Sequence, residues 1–198
     1  MDWNARYSTD DYLFGTAPSR FLSEHVHLLT AGDTALCIAD GEGRNSVFMA
    51  EQGLNVTAWD ASPVALDKAR KLAESRGVTV DFRQETAERF GWTARQYDIV
   101  CGIFFQFAGP ALRRQVFDGM IAATRPGGLI LIHGYTPKQI EFGTGGPGVV
   151  ENLYTAEILT DAFSAHEIVE LRDYEAEISE GSGHEGMSAL TDLVVRRV

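Results

Sequence analysis

The sequence predicts an α/β fold: a seven-stranded sheet of five parallel strands closed by a C-terminal antiparallel hairpin, with helices completing three layers. Three observations predict it. Over the first 150 residues, short apolar runs rich in β-branched residues alternate with longer amphipathic stretches, the pattern of strands joined by helical crossovers. A glycine-rich turn, Ala39-Asp40-Gly41-Glu42-Gly43, follows the first of these runs. Near the C-terminus two long strand-like segments are separated only by SEGSGHEG, a connection short and Gly-rich enough for a hairpin.

Taken in order, the first strand is expected over 34–39 (TALCIA), with a helix starting soon after the glycine turn. The second covers 54–59 (LNVTAW). A helix over 63–76 follows, because Ser62 can cap it, Pro63 suits the first helical position and Gly77 ends it. Further strands are expected over 78–83 (VTVDFR), 97–104 (YDIVCGIF) and 128–133 (GLILIH), then a helix over 155–163. The hairpin strands cover 166–178 and 187–197. In the first of these, Val169 and Leu171 are out of phase with Tyr174, Ala176 and Ile178, which predicts a bulge near Arg172 and Asp173.

The whole chain, 1–198, reads as one domain. Residues 1–32 form an N-terminal helical cap on a core over 33–198, since Trp3, Tyr7, Tyr12 and Phe14 are too aromatic for a solvated tail. The Gly-rich connection over about 136–153 is longer than most structureless loops and is read as a lid.

Composition narrows the partners. With 17 Lys and Arg against 28 Asp and Glu, the net charge is −11, and basic clusters such as Arg113-Arg114 are short; this disfavours nucleic acid. No basic n-region, apolar leader or transmembrane-length run is present, so a cytoplasmic protein acting away from membranes is expected. Cys37 and Cys101 lack metal-ligand spacing; no metal site is expected. They should lie on adjacent strands, roughly 4.8 Å apart, without a disulfide.

The chemistry-bearing motif is strand, glycine turn, helix, strand and terminal acid. Glycines at the turn let backbone approach a nucleoside, and Asp60, 17 residues beyond Gly43, can accept hydrogen bonds from both ribose hydroxyls. Gly41-x-Gly43-x-x-Ser46 is a near miss to the nicotinamide fingerprint, so an NAD-dependent oxidoreductase is one alternative. A non-catalytic nucleoside-binding protein is another. The hairpin, in place of a sixth parallel strand, favours S-adenosylmethionine over a nicotinamide cofactor.

Several segments in order carry a resemblance: Trp3, Arg6 and Tyr7 with YLFGTAPSRFL (12–22), GEGRNSVFMAEQG (41–53), VTAWDAS (56–62), RPGG (125–128), and GYTPKQ with GTGGP (134–147). The chain resembles the class I S-adenosylmethionine-dependent methyltransferases, with their Rossmann-like sheet, and more closely the bacterial tellurite-resistance and thiopurine-type small-molecule enzymes. The resemblance implies methyl transfer to a small molecule such as a thiol, thiopurine or chalcogen oxyanion, with S-adenosylhomocysteine as product, by a monomer or homodimer. It implies cofactor contacts at Tyr12, Ala39, Asp40, Gly41, Glu42, Gly43, Asn45, Asp60, Ala61, Thr86, Ala87, Gly102, Ile103 and Phe104. Cys37 and Ala39 depart from the family's usual Asp and Gly; Ala39 suits such a turn only with negative φ or tolerated strain. Gln106, Tyr135 and His184, with His133, are the candidates for acceptor contact or catalysis.

Overall fold

The computed structural model describes residues 2–198. Its parallel strands are β1 (Thr34–Ile38), β2 (Asn55–Asp60), β3 (Asp81–Gln84), β4 (Tyr97–Ile103) and β5 (Thr124–Tyr135). The antiparallel pair is β6 (Glu167–Ser179) and β7 (Glu185–Arg196). The helices are α1 (Trp3–Tyr7), α2 (Arg20–Glu24), α3 (Arg44–Glu51), α4 (Pro63–Arg76), α5 (Pro110–Ala123), α6 (Gln139–Phe142) and α7 (Ala156–Ala162). One seven-stranded sheet results, in the order β3-β2-β1-β4-β5-β7-β6.

Two apolar layers flank it. Alternating side chains send Leu36, Ile38, Val100 and Ile130 to one face, against Val116, Phe117 and Met120 of α5 and Phe163 after α7. Ala35, Cys37, Val56 and Cys101 go to the other, against Phe21 and Leu22 of α2 and Met49 of α3. Helix α4 has the predicted ends: the Ser62 side chain accepts from the Ala65 N–H, Pro63 leads, and Gly77 closes with φ 67°.

Two expectations change. The bulge in β6 lies at Val169, where the register steps from Ile168↔Val195 to Glu170↔Val194; the ladder runs unbroken through Arg172↔Asp192 and Asp173↔Thr191. The phase change in the sequence has another cause: the two halves of β6 are covered on opposite faces. Leu171 packs toward α5 and α7, whereas Tyr174, Ala176 and Ile178 pack with Tyr135 on the reverse side. The 136–153 connection is not structureless either. It holds α6 and a 3-10 turn at Val150–Asn152, and Gln139 ties it to β7 by accepting from the Ala189 N–H at 2.9 Å.

Candidate active site

Strands β1 and β4 are neighbours whose chains leave toward opposite edges of the sheet, and at such a switch point a crevice opens beyond the strands' carboxyl ends. A cavity of about 640 Å³ lies there. Its first half is built from the turns after β1, β2 and β3. Ala39 leaves β1 with φ 46°, so the turn tolerates left-handed strain in place of a glycine. Phe104, at the matching end of β4, has φ 53°. Both residues face the cavity, and strained backbone held by its surroundings concentrates at functional sites.

Asp60 knits the first two turns together. Its carboxylate accepts from the Gly41 N–H at 2.9 Å and the Ser62 N–H at 2.8 Å. Burial raises its pKa, against the lowering effect of these backbone donors. Asp40 accepts from the Ser46 hydroxyl; burial pushes its carboxyl up to about 7, with the Asp60 charge adding to the rise. The Nε1 of Trp59, which also borders the cavity, is buried without a protein partner.

The N-terminal segment closes one wall. Lys68 of α4 holds it, donating to the carbonyls of Tyr7 (3.3 Å), Thr9 (3.0 Å) and Asp11 (2.6 Å). Its ammonium also pairs with buried Glu42 at 2.5 Å. Helix α1 is pinned further by the Ser62 hydroxyl, which donates to Asn4 Oδ1 at 2.7 Å. Trp3, Tyr7 and Phe14 are thereby turned into the cavity.

The second half of the cavity is aromatic. His184, from the hairpin loop, lies between Phe104 (ring centroids 4.2 Å apart) and Phe14 (4.4 Å), with Tyr135 edge-on at 5.8 Å. Burial, with help from the Arg44 charge, holds the His184 pKa well below its ordinary value, so the ring is neutral. Its Nδ1 is buried with no protein partner. Beneath Phe104, His133 Nδ1 contacts Asp192 at 2.6 Å, and Phe21 stacks on the His133 ring.

Residues 35–128 match a family model described as a methyltransferase domain. An uncharacterized protein of Mycobacterium tuberculosis is 31% identical over 107 residues, 54% of this chain and 39% of the relative. A ubiquinone biosynthesis O-methyltransferase of Marinobacter nauticus is 31% identical over 140 residues, 67% of this chain and 57% of the relative. The chain thus spans less than two thirds of the length of these curated relatives.

Solved structures share the fold across almost the whole chain. One, from the conversion of a disulfide bond into a thioacetal group during echinomycin biosynthesis, has a TM-score of 0.79 at 19% identity, covering 98% of this chain and 90% of its own. The N-methyltransferase NodS of Bradyrhizobium japonicum, in complex with S-adenosyl-l-homocysteine, has a TM-score of 0.73 at 17% identity, covering 98% and 96%. TehB of Haemophilus influenzae has 0.72 at 15%, covering 89% and 61%.

Most residues singled out in the sequence reach one place. Ala39, Asp40, Gly41, Asn45, Asp60 and Ala61 line the cavity, as do Thr86, Ala87, Ile103 and Phe104. Gln106, Tyr135 and His184 line it too. Five others stand outside its lining, His133 among them. Tyr12 instead packs among Val47, Leu72 and Ala73 and donates to the Lys68 carbonyl at 2.9 Å. The Glu42 carboxylate is turned to Lys68. Gly43 is where α3 meets α4, since a Cβ there would come within 2.7 Å of Ala69 Cβ. Gly102 makes room for the Phe105 ring, 2.6 Å from where its Cβ would lie.

Gln106 is a positioning residue. Its amide donates to the Tyr135 carbonyl at 2.8 Å and accepts from the Tyr135 N–H at 2.6 Å. His133 is likewise held in the sheet by Asp192. Sequence reasoning missed Trp59 and Arg44. Arg44 had a signal: a cation in the first turn of a helix opposes the helix dipole, so it calls for a buried anion, here Glu180 at 2.8 Å.

Proposed function

We propose that the chain binds S-adenosylmethionine in this cavity and transfers its methyl group to a small molecule, leaving S-adenosylhomocysteine. The observation that carries the reading is Asp60, a buried carboxylate at the end of β2 that borders the cavity and is fixed by two turns. Each oxygen keeps a lone pair for a ribose hydroxyl. Asp40 supplies negative charge toward a cationic sulfonium or ammonium, and the orphaned Trp59 Nε1 offers a donor. Thr86 and Ala87 border the space for the adenine. The cavity ends on an antiparallel hairpin rather than a sixth parallel strand, which weighs against the nicotinamide reading.

The bound cofactor brings a methyl already activated by positive sulfur. The protein's part is to align the acceptor and exclude water, effects worth roughly 7 to 11 kcal/mol in favourable cases. Phe14, Phe104 and Tyr135 exclude water, Gln106 holds Tyr135 in place, and residues 136–153 serve as the lid. The acceptor is best read as a neutral thiol or thiopurine rather than a chalcogen oxyanion. Of the cations around the cavity, Arg44 is neutralised by Glu180 and Lys68 by Glu42, Arg6 is engaged over the rings of Trp3 and Phe14, and the His184 ring is neutral.

A phenol is the second reading, because neutral His184 presents a partnerless Nδ1 that can accept a hydrogen bond from a hydroxyl and orient it. A labelled-methyl transfer screen over thiols, thiopurines, phenols, selenite and tellurite tests both. Transfer to neutral thiols or phenols supports the proposal; cofactor binding without transfer to any acceptor favours a non-catalytic binding protein.

A further inference from the structure

Three sulfur atoms meet under the cavity. Cys37 of β1 and Cys101 of β4 are direct register partners on neighbouring parallel strands, and both border the cavity. Both thiols are free. From behind, Met49 of α3 brings its Sδ to 3.4 Å from Cys37 Sγ, accepting the S–H. All three side chains are at most 2% exposed. The layer does not need sulfur for packing, since Ala35, Ala58 and Leu131 fill it with hydrocarbon. Nor does the methyl transfer proposed above use these atoms.

We infer that Cys37, Cys101 and Met49 form a binding site for one soft monovalent cation, Cu(I) being the fitting example, entered from the cavity. Thiolate and thioether ligands select such cations over harder ones. Metal–sulfur bonds of about 2.3 Å in a trigonal plane set the sulfurs about 4 Å apart, so the Cys37–Met49 pair at 3.4 Å has to open only slightly. On binding, the S–H bonds of Cys37 and Cys101 break and two sulfur–metal bonds form. Two protons leave to solvent, Met49 donates a lone pair, and no oxidation state changes.

The cation site stands on sulfur geometry alone; only its shielding by cofactor rests on the proposed function. The test is an anaerobic titration of the full chain, kept reduced by a non-thiol reductant, with Cu(I) competed by a chromophoric chelator. One equivalent should bind with thiolate-to-metal absorption in the near ultraviolet. Cys37→Ser and Cys101→Ser should each weaken binding at least 100-fold. Met49→Leu, close in volume and so kind to the packing, should weaken it about tenfold with thermal unfolding unchanged. Uptake no greater than in the double serine variant, or unchanged affinity in Met49→Leu, would overturn the site. Saturation with S-adenosylhomocysteine should slow uptake. If calorimetry shows that ligand bound and uptake is still as fast, entry from the cavity is wrong. If that ligand does not bind while one equivalent of Cu(I) does, the site is supported and the cofactor reading fails.

Discussion

The two halves of the cavity are built in different ways. The half under β1, β2 and β3 consists of turns close in sequence, with Asp40, Gly41, Asp60 and Thr86 each within three residues of a strand end. The half around His184 draws Phe14, Phe104, Tyr135 and His184 from four distant stretches of chain. The first is a property of one βαβ succession; the second exists only once the hairpin and the N-terminal segment have docked. One half therefore suits a constant ligand, and the other is free to vary with the acceptor.

The largest expected effect falls on the link between the halves. Lys68→Met leaves Glu42 buried without its cation, which costs about 3–5 kcal/mol when one partner of a buried pair is removed. It also releases three N-terminal carbonyls. Urea unfolding should show that loss, and Glu42→Gln on top of it should restore part; a single variant as stable as the native chain would break the account of the strap.

His184→Phe sharpens the division. It keeps the aromatic packing against Phe14 and Phe104 but removes the free Nδ1. The specificity constant for the acceptor should fall tenfold or more, with S-adenosylhomocysteine affinity unchanged by calorimetry. Equal losses in both would show that the halves are not separable.

A smaller effect belongs to Asp40. With its folded pKa near 7 above an unfolded value of about 3.9, the folded chain holds the proton more tightly between those values, so this group's contribution to stability falls as pH rises through that window. A cationic cofactor prefers the carboxylate. Its affinity should rise with pH up to about 7 and level off above, and Asp40→Asn should flatten the profile. A native profile flat from pH 5 to 9 would remove Asp40 from the cofactor's surroundings.

The same contrast explains what could be read in the sequence. Strand alternation, the Ser62-Pro63 start of α4 and the SEGSGHEG hairpin are local signals, and each appears where expected except that β3 begins at Asp81 rather than Val78. So does the pairing of Cys37 with Cys101, which follows from strand order. The bulge was misplaced because period-2 phase reports which face is covered, and β6 changes its cover between Leu171 and Tyr174. Tyr12 looked like its aromatic neighbours Tyr7 and Phe14, but only the carbonyls gathered by Lys68 decide which rings turn inward. Gln106 looked chemical, and its commitment to the Tyr135 backbone is visible only in three dimensions.

The central claim is that the β1–β2 half holds S-adenosylmethionine through Asp60. Its most direct test is calorimetric titration of S-adenosylhomocysteine into the native chain and into Asp60→Ala, with NADH as control. The account predicts one site in the native chain, affinity lowered about 100-fold in the variant, as fits loss of charged hydrogen bonds, and no NADH binding. Binding of NADH alone, or S-adenosylhomocysteine affinity indifferent to Asp60→Ala, would contradict it.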